Sequence, residues 1–320
     1  MIEIENLSKS FGAVKAVTDL SLKAGKGEVV GFLGPNGAGK STTMKMVTGY
    51  LSIDAGSIRI CGHDIETDTI AAQQRIGYLP EGAPAYGDMI VRKFLAFIAE
   101  VRGFRGAQAK LRIDVAIEKT ELAPVLDQPI ETLSKGFKRR VGLAQAILHD
   151  PEVLIMDEPT DGLDPNQKHS VRELIRTMAT EKAIIVSTHI LEEVEAICSR
   201  AVIIDRGKIV ADGTPAELLT RSRYHNAVTM VLDVVDIDPV EEKLKSLGLV
   251  AGIEIAAQCG KTVRLTAFPK SGALLIEAIG ALAGRERWPV KELYAEPGRL
   301  DEVFRAITTH DAVRIKKERT

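Results

Sequence analysis

Between an apolar run, Glu28-Val29-Val30-Gly31-Phe32-Leu33, and a helically spaced run, Thr42-Thr43-Met44-Lys45-Met46-Val47, stands the stretch Gly34-Pro35-Asn36-Gly37-Ala38-Gly39-Lys40-Ser41-Thr42. It fits the pattern G-x-x-x-x-G-K-[ST], in which backbone N–H groups wrap phosphates and the lysine reaches the β- and γ-oxygens. A chance Gly-rich turn before Lys-Ser would need neither a buried strand ahead of it nor a helix behind it. Both are predicted here. The loop then ends at a helix N-terminus, where anions are favoured. This stretch is therefore read as binding a nucleoside triphosphate.

Far downstream, Val153-Leu154-Ile155-Met156-Asp157-Glu158-Pro159-Thr160 reads as an apolar strand ending in carboxylates. Asp157 at such a strand end suits Mg²⁺, held directly or through water beside Ser41. Glu158, just past the strand, is placed to polarise a water attacking the γ-phosphate, a role worth on the order of 10²–10⁴ in rate. Asp-Glu alone would read equally well as a solvated turn; following the phosphate loop, it completes a set. Leu133-Ser134-Lys135-Gly136-Phe137 precedes this strand. Ser134 is a good N-cap for a helix from Lys135 to Leu148, and its hydroxyl with a glycine N–H forms a second anion site. The plainer reading is a cap beneath a basic solvated face.

At 320 residues the chain suits about two domains. A net charge of −2 offers no basic excess for a nucleic-acid backbone. Cys61, Cys198 and Cys259 are far apart, so buried thiols in a reducing compartment are expected rather than disulfides or a metal site. Met1-Ile2-Glu3-Ile4-Glu5 lacks the features of a signal peptide. No apolar run approaches the ~18 residues of a spanning helix, so the expectation is a soluble intracellular protein.

Residues 1–30 alternate apolar and polar positions between turn signals, and Gly56–Gly62 adds a strand, which together predict a small antiparallel sheet. Residues 88–149 turn helical, with Val91, Phe94, Leu95 and Ile98 on one face after a loop at Pro84 and Gly87. Strands at 153–156 and 183–187 flank a helix through Val171, Leu174, Ile175 and Met178, implying a parallel sheet covered on both faces. Residues 201–210 read as a closing hairpin turning at Arg206-Gly207. After Leu219, the polar segment 220–226 reads as a linker. Beyond it come strand 228–235, helix 239–247, strand 250–257, strand 261–268, helix 272–284, strand 288–296 and helix 300–308. That order is βαββαβ, the ferredoxin-like arrangement, plus a terminal helix. The expected division is a domain over 1–220, a small α+β domain over 227–310 and a frayed basic tail over 311–320.

The ordered set Gly34–Thr42, Leu133–Phe137, Asp157-Glu158, Asp161-Gly162-Leu163-Asp164 and Ser187-Thr188-His189 resembles the ATP-binding cassette of ABC transporters over residues 1 to about 220. The resemblance implies an α/β P-loop NTPase fold with a RecA-like core, an antiparallel β subdomain and a helical subdomain. It also implies ATP with Mg²⁺ as cofactors. Gly34, Pro35, Asn36, Gly37, Ala38, Gly39, Lys40, Ser41 and Thr42 would hold the nucleotide, and Phe11 matches the aromatic that stacks on adenine, against a plainer reading as an edge-strand residue. Ser134 and Gly136 would close on the γ-phosphate held by a second copy of the chain. Glu158 matches the catalytic glutamate and His189 the switch histidine. Asp161–Asp164 resembles the loop that passes signals between subunits.

Two places depart from the family pattern. Lys135 and Phe137 stand in a signature usually written Leu-Ser-Gly-Gly-Gln, though Ser134 and Gly136 remain. Glu81, in Tyr78-Leu79-Pro80-Glu81-Gly82, stands where the family has a glutamine; its carboxylate can still meet Mg²⁺ or water but adds negative charge near the phosphates. Both departures, and the segment Leu300–Thr308, resemble the ATPase subunits of ABC-2-type exporters, including gliding-motility and copper-processing relatives. The partners so implied are a separate membrane permease and a second copy, with the chain on the cytoplasmic face of the membrane and no nucleic acid bound. Tyr86 and Met89 would then lie near the groove that receives a cytoplasmic helix of the permease, unless they serve local packing. A soluble cassette acting on ribosomes or nucleic acid is the alternative; such relatives commonly carry two cassettes or a long coiled-coil insertion, and this chain has one cassette. For the C-terminal domain, a dimer brace, a ligand-sensing regulator and an accessory-protein contact compete, with the first two preferred.

Overall fold

The computed structural model describes residues 1–83, 85–270 and 273–317, so Pro84 and Gly272 lie outside the described residues. The chain divides into two compact units, Met1–Thr214 and Pro215–Thr320.

In the first unit, β1 (Ile2–Phe11) and β2 (Val14–Ala24) form an antiparallel hairpin. Their alternating residues bury Ile2, Ile4, Leu20 and Leu22 on one face, as period-two patterning requires. The chain then enters β3 (Val29–Leu33), buried at every position, and α1 (Lys40–Val47). It returns to the hairpin's sheet as β4 (Ala55–Ile60) and β5 (His63–Asp64), then continues through α2 (Thr69–Gln74) and β6 (Ile76–Leu79). Three helices follow: α3 (Val91–Val101), α4 (Gly106–Thr120) and α5 (Lys135–Ile147). Next come β7 (Val153–Asp157), α6 (Pro165–Ala179), β8 (Ala183–Thr188) and α7 (Leu191–Ile197). The unit ends on the hairpin β9 (Arg200–Asp205) and β10 (Lys208–Gly213). That hairpin turns at Arg206 (φ 47°) and Gly207 (φ 76°), the left-handed pair expected of a tight two-residue turn.

Among the described residues the central sheet has six strands in the order β10-β9-β3-β8-β7-β6, parallel except for β10. Its strands are continuous apolar runs because both faces are covered. One core joins the two sheets of this unit: Ile4 and Leu22 from the hairpin, Met44 and Val47 from α1, and Phe32, Ile155 and Ile185 from the central strands. α1 is therefore fixed by burial, each such side chain contributing about 1.5–3 kcal/mol.

The second unit begins with α8 (Pro215–Leu219), earlier than the expected division. Its sheet comprises β11 (Val228–Asp233), β12 (Val250–Cys259), β13 (Thr262–Pro269) and β14 (Val290–Ala295), with α9 (Asp238–Ser246), α10 (Ile276–Arg285) and α11 (Leu300–Lys317) between and after them. The strand order β12-β13-β11-β14, antiparallel throughout, is the ferredoxin-like arrangement that the element order predicts. Two details differ from expectation. Segment 220–226 is no free linker: Tyr224 is buried, its hydroxyl donates to Glu254 (3.1 Å), and its ring lies between the guanidinium groups of Arg223 (4.9 Å) and Arg299 (3.8 Å). And α11 carries its backbone helix through residues 311–317, predicted as frayed; residues 318–320 lie outside the described ones.

Two packing features of the first unit are testable. Gly77 in β6 lies so close to α5 that a Cβ there would collide with the carbonyl oxygen of Ala146 and stand 2.8 Å from Pro151 Cγ. Gly77→Ala is expected to cost about 1–3 kcal/mol and to lower Tm in a melting scan; an unchanged Tm would contradict the close approach. Just after α5, His149 donates Nε2–H to the carbonyl of Ile76 (3.0 Å), while its buried Nδ1 has no partner. Burial, and next the positive charge of Arg102, push its pKa down to about 4. An unfolded histidine takes a proton below about 6.5. The native state resists protonation until about 4, so stability falls as pH drops through that window and levels off below it. Denaturant melts at pH 7 and pH 5 should differ more in the native chain than in His149→Gln.

Candidate active site

β3 ends where the phosphate loop begins, and the loop is wedged between backbone on two sides. A Cβ on Gly34 would collide with the carbonyl oxygen of Ile204, and one on Gly39 (φ 104°) would stand 2.5 Å from that of Ala16. Only glycine meets both demands, the open φ and the close approach. Lys40, first in α1, is buried and bends back to donate to the carbonyls of Gly34 (2.7 Å) and Pro35 (3.2 Å). Burial lowers its pKa from the ordinary lysine value, against the pull of Glu158, Asp157 and Glu81. The loop opens on a cleft of about 400 Å³ lined by Asn36, Gly37, Gly39, Lys40, Ser41 and Thr42, with Val14–Ala16 and Glu81 across it. Phe11 is half exposed and pairs in the hairpin with Val14, which lines this cleft.

A second cleft, of about 410 Å³, is lined by Ser41, Lys45, Tyr78, Pro80, Glu81, Gly82 and Asp157. It brings together the three residues expected to hold Mg²⁺: Ser41, Asp157 and Glu81. Among the described residues no cluster of three His, Cys, Asp or Glu side chains could cage a metal ion. The donor set of one hydroxyl and one or two carboxylates nevertheless fits Mg²⁺, which keeps waters and takes its remaining ligands from phosphates.

β7 is buried from Val153 to Asp157. Glu158 follows in the left-handed region (φ 52°), its N–H donating to the carbonyl of Ser187 (2.9 Å). From β8, His189 Nδ1–H donates to Glu158 Oε1 (2.7 Å), and the Thr188 hydroxyl lies 3.4 Å from Oε2. The two expected catalytic residues are thus in direct contact, although 31 positions apart. With Nδ1 so engaged, any phosphate contact by His189 falls to Nε2.

Ser134 caps α5, accepting from the N–H of Phe137 (3.3 Å), and Gly136 lies under the side chain of Gln167 on α6. Neither lines the phosphate clefts of its own chain. Asp161–Asp164 forms a tight turn in which the Asp161 N–H donates to the carbonyl of Glu158 (3.2 Å) and Asp164 caps α6 through Gln167 N (2.9 Å).

One residue of this site is absent from the sequence expectations. Arg139, in the basic run Lys138-Arg139-Arg140, is buried and donates to the carbonyls of Pro80 (3.2 Å) and Glu158. Its spacing from Gly136 and Leu143, at three and four residues, places it on the buried face of α5 and was the available signal.

A sequence profile described as ABC transporter matches residues 17–161. The Nod factor export ATP-binding protein I of Paraburkholderia xenovorans (strain LB400) is 35% identical over 311 residues, 96% of either chain. The linearmycin resistance ATP-binding protein LnrL of Bacillus subtilis (strain 168) is 38% identical over 222 residues, 69% of this chain and 71% of that one. Among solved structures, an ATP-binding subunit of an ABC transporter superposes with a TM-score of 0.65 at 30% identity, covering 69% of this chain and 92% of that one. With its phosphate loop and carboxylates at the C-terminal ends of β3 and β7, and a relative matched along nearly its whole length, the chain belongs to the ABC transporter family, among the ATP-binding subunits that hydrolyse ATP.

Proposed function

We propose that this chain powers an ABC-2-type exporter, hydrolysing ATP on the cytoplasmic face of the membrane to drive a separate permease. Among the described residues no helix is long and apolar enough to cross a membrane, so the path for cargo would belong to that partner. Export is favoured by the names of the two relatives, a Nod factor export protein and a linearmycin resistance protein.

The reaction follows from the strand ends. Backbone N–H groups of Asn36–Thr42 and the Lys40 ammonium bind the triphosphate, and the lysine gives up its bonds to Gly34 and Pro35 to do so. Ser41 and Asp157, with Glu81 beside them, would hold Mg²⁺, which would supply neutralising positive charge to the phosphates. Glu158 takes a proton from a water as its oxygen forms a bond to the γ-phosphorus. The bond to the β–γ bridging oxygen breaks, leaving ADP and phosphate. His189 orients the Glu158 carboxylate and turns its Nε2 toward the γ-phosphate. Phe11 stacks on adenine. Ser134 and Gly136, absent from the clefts of their own chain, close the site of a second copy. The direct contact of Glu158 with His189, beside the phosphate loop, carries this reading.

The permease contact is drawn to a cleft of about 650 Å³ lined by Tyr50, Ile70, Tyr78, Ile98, Val101 and Arg102, among others. Tyr50, Ile70 and Val101 are largely exposed, an apolar patch of the kind that marks a partner surface. Tyr86 packs edge-on against Phe94 (6.4 Å) and Phe97 (5.7 Å) of α3 while remaining more than half exposed.

Three outcomes are expected. Glu158→Gln binds ATP and accumulates an ATP-bound dimer while turnover falls on the order of 10²–10⁴; near-normal turnover in that variant removes Glu158 from the role. Specific ATPase activity rises with protein concentration as dimers form, and a strictly monomeric form with efficient turnover would refute the shared site. Ile70→Glu leaves the ATPase of the purified chain intact but abolishes co-purification of a membrane protein from mild-detergent extracts.

A further inference from the structure

Glu81 brings an extra carboxylate to a site that already holds Asp157, Glu158 and Asp161 and that must also receive phosphates. Like charges gathered at one site repel, and although Glu81 and Asp161 are exposed, Asp157 is buried and so less screened. Three cations answer them, of which Lys45 lines the same cleft but stands exposed to solvent. Lys40 is faced by Glu158, Asp157 and Glu81, but the nucleotide claims it. Arg139 remains. Its guanidinium comes from α5 and is 5% exposed, and the charges of Asp161, Glu158, Asp157 and Glu81 oppose the cost of its burial.

Its hydrogen bonds are as specific as its charge. Nη1 donates to the carbonyl of Pro80 (3.2 Å), the residue before Glu81, and Nη2 donates to the carbonyl of Glu158 itself. Glu158 is a non-glycine residue at φ 52°, a conformation that persists only where surroundings over-determine it. Its N–H is fixed by Ser187, and its carbonyl is shared by Arg139 and the Asp161 N–H (3.2 Å). Neither arm of Arg139 touches the reacting atoms; each holds the backbone of a residue that does or of its neighbour.

We infer that Arg139 is a positioning residue for ATP hydrolysis matched to the glutamate at position 81: one guanidinium ties the Pro80-Glu81 loop to the Glu158 backbone and supplies the counter-charge that Glu81 requires. Removing Arg139 leaves a surplus carboxylate beside the phosphates, and removing the carboxylate at position 81 relieves it. The inference rests on Glu158 acting as the base. Glu158→Gln tests that separately, and if it fails the coupling between positions 139 and 81 still reads out in ATP turnover.

The experiment is a double-mutant cycle in the full chain, with kcat and KM for ATP and Tm measured for Arg139→Gln, Glu81→Gln, the pair together, and Arg139→Lys with and without Glu81→Gln. Arg139→Gln is expected to lower kcat about tenfold or more with KM changed less than about threefold, and adding Glu81→Gln to recover most of that loss, since groups that share one charged, hydrogen-bonded network couple. Arg139→Lys, which keeps the charge, should exceed Arg139→Gln in the background that retains Glu81 and lose that advantage in the Glu81→Gln background. Losses that simply multiply in the double variant overturn the match, as does a drop in Tm with kcat unchanged. If Arg139→Gln folds only together with Glu81→Gln, the match is supported. If it folds with neither, Arg139→Lys decides: a lower kcat at unchanged KM supports the positioning role, and a native kcat refutes it.

Discussion

The chemistry of this chain depends on the register of three buried parallel strands. Leu33 at the end of β3 pairs with Thr188 of β8, and Ser187 of β8 pairs with Asp157 at the end of β7. The phosphate loop, His189 and the Asp157-Glu158 pair therefore leave the sheet at one level. With both sheet faces apolar and covered, a slip of one residue would turn every side chain to the opposite face, and the packing against α1 and the helices forbids it. Residues far apart in sequence are thus delivered to one end of the sheet, where the contact of His189 with Glu158 joins the segments after β7 and β8.

Charge is the second constraint. A site that is to bind a polyanion while keeping several carboxylates needs fixed cations, and on the proposed reading two helices supply buried ones: Lys40 from α1 and Arg139 from α5. The first is half of the visible phosphate motif. The second works from inside, through backbone carbonyls, and leaves the carboxylate oxygens of Asp157 and Glu158 available.

Much of this was legible in the sequence. The glycine pattern of residues 34–39, the apolar strands before Gly34 and Asp157, the Arg206-Gly207 turn and the βαββαβ order of the second unit all rest on local rules of period and backbone freedom, which survive folding. What was not legible depends on neighbours from elsewhere in the chain. Arg139 reads as one of three solvated basic residues until α5 turns it inward beneath Pro80 and Glu158. Segment 220–226 reads as a linker because it is polar, yet Arg223 and Tyr224 pack on Phe268 (5.1 and 5.2 Å), with Arg299 closing over the tyrosine. The apolar cleft at Tyr50, Ile70 and Val101 combines three helical and loop segments with no shared periodicity.

The carbonyl of Ala16 has a mechanical consequence. It stands against Gly39 on one side and, 2.6 Å from where a Cβ would be, against Gly207 on the other, while Gly207 N–H bonds Ala38 O (2.8 Å) and Thr18 N–H bonds Gly207 O (2.8 Å). The β1–β2 hairpin, the phosphate loop and the β9–β10 turn are thereby clamped into one rigid block. Any shift of the hairpin that bears Phe11 would therefore carry the phosphate loop with it.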